Sequence, residues 1–116
     1  MNKTYEIIVS DVLKELGISP ALKGYHYSRY AICRILENGD SDAFTKLYNY
    51  VAEEFNSTYS KVERCIRTAC DNMMLSGNYD AIIKIFGNCA SVNGGRLTNS
   101  QFIYGVVDYI RTYLSV

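Results

Sequence analysis

The chain has 116 residues, 48% of them apolar, with twelve basic side chains balanced by twelve acidic ones. This is enough for one core and excludes a disordered chain, while zero net charge excludes a globally basic nucleic-acid binder, so any basic surface must be local. No apolar run approaches the roughly 20 residues needed to span a bilayer, and with no signal peptide the expected location is the reducing cytoplasm.

Residues 4–16 carry Ile7, Ile8, Val12, Leu13 and Leu16 as one helical stripe, with Asp11, Lys14 and Glu15 mostly off it. Gly17 ends this helix and Pro20 keeps it from resuming. Ala21 to Gly24 reads as a connector. A second helix follows from about Tyr25 to Glu37, with Tyr27, Tyr30, Ala31 and Ile35 at helical spacing, and Asn38-Gly39-Asp40 stops it. Ser41 or Asp42 is placed to cap a third helix over about 42–55, whose apolar face is Phe44, Leu47, Tyr48, Val51, Ala52 and Phe55.

Asn56-Ser57-Thr58 breaks that pattern with three short polar residues. A fourth helix runs from about Tyr59 to Leu75 and Gly77 stops it; a fifth spans about Tyr79 to Phe86. Residues 87–97 read as a loop, with a short hairpin as the alternative. Thr98, Asn99 or Ser100 caps the last helix, whose apolar positions include Phe102, Val106, Tyr109, Ile110 and Tyr113. No stretch alternates as a strand. The expected fold is all-α: about six helices in one domain over residues 1–116.

Of the four cysteines, Cys33, Cys65, Cys70 and Cys89, no two form a CxxC pair, and the single His26 is not beside a cysteine pair. A zinc site is therefore not expected, nor any cofactor; small buried thiols are. Glu53 and Glu54 are adjacent on a helix and diverge by about 100°, so they cannot converge on one substrate. Gly94-Gly95-Arg96 lacks the Lys-Ser/Thr ending of a phosphate loop and follows no strand. His26, lacking a catalytic partner, reads as structural. Nothing here supports an enzyme or a small-molecule substrate.

The informative stretch is Leu47 to Gly77: helix, tight polar turn, helix. Ala52 offers a small side chain where the second helix would cross, the pattern of a helix-turn-helix. Val62, Ile66, Ala69 and Met73 repeat at spacings of four, three and four, forming the stripe to be buried. Opposite lie Ser60, Glu63, Arg64, Arg67 and Thr68, with Lys61 at the flank. Arginine can pair with guanine O6 and N7, and glutamate can accept from cytosine. Ser57, Thr58 and Ser60, at the helix start, suit a phosphate. The same face also reads as a solvated surface bearing a Glu63–Arg67 ion pair. Arg96, with Thr98, Asn99 and Ser100 beside it, reads either as a DNA-backbone contact or as simple capping of the last helix.

Four stretches, LKGYHYSRYAI (22–32), TKLYNYVAEEFNSTYSKVERCIR (45–67), SGNYDAIIKIFG (76–87) and GRLTNSQFI (95–103), resemble in order the C-terminal effector domain of the sporulation master response regulator, the stage-zero sporulation protein A family. The resemblance covers roughly Leu13 to Ile110. It implies a six-helix domain that binds a short promoter element in double-stranded DNA, with tandem or homodimeric binding on repeated sites. Residues of the family's S-R-V-E-R-x-I-R motif that face the bases fall here on Lys61, Glu63, Arg64 and Arg67. Lys61 stands where the family favours arginine, keeping the charge and losing the planar fork. Asn49 replaces a common proline and Met74 a tryptophan. The family's regulators also carry a phosphorylated receiver domain ahead of this part; a chain without one is expected to bind DNA independently of phosphoryl donors. The alternative function is a protein-interaction module that binds a partner or mixes with a full-length regulator.

Overall fold

A computed structural model describes residues 2–40, 43–87 and 96–114. They form six helices: α1 (Lys3–Glu15), α2 (Lys23–Asn38), α3 (Phe44–Glu54), α4 (Tyr59–Ser76), α5 (Tyr79–Phe86) and α6 (Asn99–Tyr113). No strand occurs among the described residues, and no helix there is long and apolar enough to cross a membrane.

Most helix ends have a local chemical cause. The Asn2 side chain accepts from the N–H groups of Thr4 and Tyr5 at the start of α1, and Asn78 accepts from Ala81 in α5. Thr98 and Gln101 bond reciprocally across the first turn of α6, closing a capping box. Three of the sequence expectations need correction. The third helix starts at Phe44, with Ala43 in the cap position and no side-chain cap; Ser41 and Asp42 lie outside the described residues. The second helix starts at Lys23, so Gly24 is helical and not part of a connector. In α1 the buried stripe is Val9, Val12, Leu13 and Leu16, while Ile7 is exposed; Ile7 lies two residues before Val9 and so points to the opposite side. Of the 87–97 segment, residues 88–95, with Cys89, Gly94 and Gly95, fall outside the described residues.

One core joins all six helices, and α2 crosses its middle, packing against α1, α3, α4 and α6. Tyr25, Ala31, Ile32 and Cys33 of α2 are wholly or almost wholly buried there, with Phe102, Ile103 and Ile110 of α6. Each fully buried Leu, Ile or Phe contributes roughly 1.5–3 kcal/mol relative to an exposed one.

Glycine decides how closely α2 and α4 meet. A Cβ on Gly24 would stand 2.2 Å from the Cys65 carbonyl oxygen and 2.8 Å from Ala69 Cβ. Backbone also touches backbone where α1 ends: Gly17, at φ 93°, abuts Gly77, and the Asn78 N–H donates to the Leu16 carbonyl at 3.1 Å. Gly77 itself has an ordinary negative φ, so it ends α4 by allowing this approach and not by a left-handed turn.

Candidate nucleic-acid interface

The turn between α3 and α4 is closed by main-chain bonds. The Ser57 N–H donates to Ala52 O at 2.8 Å and the Asn56 N–H to Glu53 O at 3.4 Å, a Schellman ending for α3. It requires a left-handed residue, and Asn56 takes φ 51°, which asparagine tolerates better than most side chains. Thr58 then caps α4 by accepting from the Lys61 N–H at 3.2 Å. Phe55, at the end of α3, packs its ring on Tyr27 and Tyr30 of α2. The start of α4 is thereby fixed to both preceding helices.

Val62, Ile66, Ala69 and Met73 are all buried, and they set the rotation of α4. Ser60, Lys61, Arg64, Arg67 and Thr68 are consequently exposed, and Glu63 is half-buried. Glu63 and Arg67 form the i,i+4 ion pair that the spacing suggests. Their side chains are 37% and 53% exposed, so the pair is worth at most a few tenths of a kcal/mol. Among the described residues Lys61, Arg64 and Arg96 have no ion-pair partner.

Beside α4 runs a groove of about 690 Å³ that joins it to the start of α6. It brings together Glu63 and Arg67 with Arg96, Thr98, Asn99 and Ser100. Lys61, Arg64 and Ser60 stand outside it, on the exposed face of α4. Ser57 and Thr58 line a separate groove at the turn, with Asn49, Glu53 and Tyr59. The residues around α6 are already engaged with protein. The Thr98 hydroxyl accepts from Gln101 N–H, and the Thr98 N–H donates to Gln101 Oε1. Asn99 Nδ2 donates to the Glu63 carbonyl at 3.0 Å.

Sequence reasoning missed several residues of this groove: Phe44, Tyr48, Asp71, Leu97 and Gln101. Asp71 is four residues beyond Arg67 and therefore on the same face, a signal the spacing did contain. The part of Tyr48 in the groove had none, because its place depends on where α6 docks. Tyr48 is buried, and desolvation pushes its hydroxyl above the usual tyrosine range. Its ring meets Phe44 and Tyr59 edge-on, and Phe44 in turn meets Tyr104 of α6.

The other candidates are structural. His26 Nε2–H donates to the Pro20 carbonyl at 2.7 Å, holding the connector before α2. Glu53 and Glu54 are exposed. Cys33 and Cys70 are buried, and no cluster of three or more potential metal ligands occurs among the described residues.

Residues 9–110 match the family described as sporulation initiation factor Spo0A C terminal. The matched span takes in all of α2 to α5, both sides of the groove and nearly all of the core. The chain therefore belongs to the Spo0A C-terminal family, DNA-binding effector domains of sporulation regulators.

Proposed function

We propose that this chain binds a short promoter element in double-stranded DNA with sequence specificity and regulates transcription in the cytoplasm. In this reading α3, the 55–58 turn and α4 act as a helix-turn-helix, with α4 in the major groove. One observation carries it: the burial of Val62, Ile66, Ala69 and Met73 leaves Lys61, Arg64 and Arg67 on one exposed face. Arg64 and Arg67 read bases, with Glu63 accepting from a base amino group or aligning the Arg67 fork. Lys61, lacking a fork, takes a phosphate or a single acceptor. Thr58 and Ser60 hold backbone phosphate at the α4 start, and Arg96 and Ser100 do so from α6; the Ser57 hydroxyl is buried and that residue's N–H donates to Ala52 O, so Ser57 reaches a phosphate only if the turn opens. The side chains of Thr98 and Asn99 have protein partners, so the main-chain N–H of Asn99 is the group that residue offers to phosphate. Binding in tandem or as a homodimer on repeated sites belongs to the same proposal.

Selection from a random duplex library tests it directly. The expected result is enrichment of one short motif. On that motif Arg64→Ala should weaken binding by about 1–3 kcal/mol and relax preference at one position. Equal binding to all sequences, or an Arg64→Ala protein with unaltered preference, overturns the assignment. Zero net charge favours a second reading, a protein-interaction module; that reading predicts little dependence of binding on salt.

A further inference from the structure

The segment leading into α6 is fastened along α4 at two points. Cys70 donates through its thiol to the Leu97 carbonyl at 3.7 Å, and Asn99 Nδ2 donates to the Glu63 carbonyl at 3.0 Å. Cys70 and Glu63 are seven residues apart, about 10 Å of helix, with Arg67 between them. The 97–99 strap thus runs antiparallel to α4 and brackets Arg67.

Asn99 is the more informative fastening. Its side chain is partly buried and stands in the groove that also holds Tyr48 of α3. A helical carbonyl has two acceptor sites, so Glu63 O can take the Asn99 bond beside its own intrahelical one. One amide therefore ties α6 to α4 at the turn that carries Glu63 and Arg64. Arg96 stands three residues before it, exposed in the groove that also holds Arg67.

We propose that the Asn99 side chain is a positioning group: it registers the 96–99 strap on α4 so that Arg96 meets the DNA backbone at a fixed distance from the base-reading Arg67, without touching DNA itself. This rests on the reading of Arg96 as a phosphate contact. If it holds, the contribution of Arg96 exists only while Asn99 is in place. Were the Asn99 side chain a phosphate ligand in its own right, the two contributions would be independent.

A double-mutant cycle on generic duplex DNA across a salt titration separates these cases. In the native background Arg96→Ala should weaken binding several-fold and flatten the slope of log K against log salt by about 0.9. In an Asn99→Ala background Arg96→Ala should change affinity by less than about twofold and leave the slope where it is. Gln101→Ala, which removes the Gln101 half of the α6 capping box and leaves the tie, should lower thermal stability and keep the full Arg96 effect; this separates positioning from mere weakening of α6. Should Asn99→Ala fold poorly, Asn99→Ser, which suits the first turn of a helix and is too short to reach the Glu63 carbonyl, should abolish the Arg96 effect in the same way. Equal Arg96 decrements with and without Asn99 overturn the proposal, as does an Arg96→Ala protein indistinguishable from the native one. Failure of the native chain to bind any duplex at low salt overturns the DNA reading beneath it and is seen before any variant is made.

Discussion

Cys33 and Cys70 are fully buried, and the carboxylates near them, Glu6 and Glu37 for Cys33 and Asp71 for Cys70, oppose ionisation further. Desolvation is the larger effect, and both thiols are pushed up from 9.0 to about 12. In the unfolded chain they ionise near the ordinary value. Below pH 9 both states are protonated and the thiols have no influence on the balance. Between pH 9 and 12 the unfolded state loses protons that the folded state keeps, so stability falls as pH rises. The expected loss is at most about 1.4 kcal/mol per pH unit per thiol. Urea denaturation at pH 8 to 11, compared with a Cys33→Ala/Cys70→Ala protein, checks it: the double variant should show the shallower decline. An identical decline in both proteins would assign the effect to other groups. The same burial makes these thiols unreactive at neutral pH, so neither is a nucleophile in waiting.

At the scale of elements, the contact between α2 and α4 governs where the DNA-facing side chains stand. Gly24→Ala would drive a methyl group to 2.2 Å from the Cys65 carbonyl, and both neighbours are helix backbone or a short side chain with nowhere to go. The helices must part, at about 1–3 kcal/mol. For a domain of this size that lowers the melting temperature by roughly 4–8 °C per kcal/mol, readable by calorimetry, and DNA affinity should fall with it because α4 is displaced. A Gly24→Ala protein with native melting temperature and affinity would refute the close crossing. This contact also shows where sequence reasoning stops. The stripe Val62-Ile66-Ala69-Met73 was legible because burial follows helical period, and the Thr98 cap was legible because it is a local bond. Gly24 reads as punctuation because a glycine that permits a close approach looks the same, in sequence, as one that ends a helix. Ala43 at the head of α3 carries no capping side chain, so the polar residues before it drew the boundary two residues early. The groove itself, with Phe44 and Tyr48 facing the start of α6, depends on docking across more than forty residues of chain, which no local pattern encodes.

For the whole molecule, a neutral chain binds a polyanion only through a local excess of unpaired cations, and the structure separates the two classes. Away from α4, Lys84 is paired with Glu15 at 2.8 Å and Arg111 with Asp40 at 3.0 Å; Arg34 lies 3.6 Å over the Tyr50 ring, and Arg29 donates to Ser10. Arg111 also donates to the Ile35 carbonyl, so α6 is fastened to α2 near its end as Asn99 fastens its start to α4. Lys61, Arg64 and Arg96 have no such ion-pair partners among the described residues, and Arg67 shares only an exposed pair; Lys3, Lys14, Lys23 and Lys46 are unpaired there as well but lie on α1, α2 and α3. Two to four phosphates per copy is therefore the expected reach, giving a slope of log K against log salt between about −1.8 and −3.6. Raising salt from about 50 to 200 mM should then weaken binding roughly 12- to 150-fold per bound copy, measured by anisotropy. A steeper slope would bring further cations into the interface, such as the exposed Lys46 of α3, or require paired ones to leave their partners. A flat one would remove phosphate from the interface and favour a protein partner on the same face. Because long-range steering by a neutral chain is weak, the association rate should vary little with salt and most of the change should appear in dissociation.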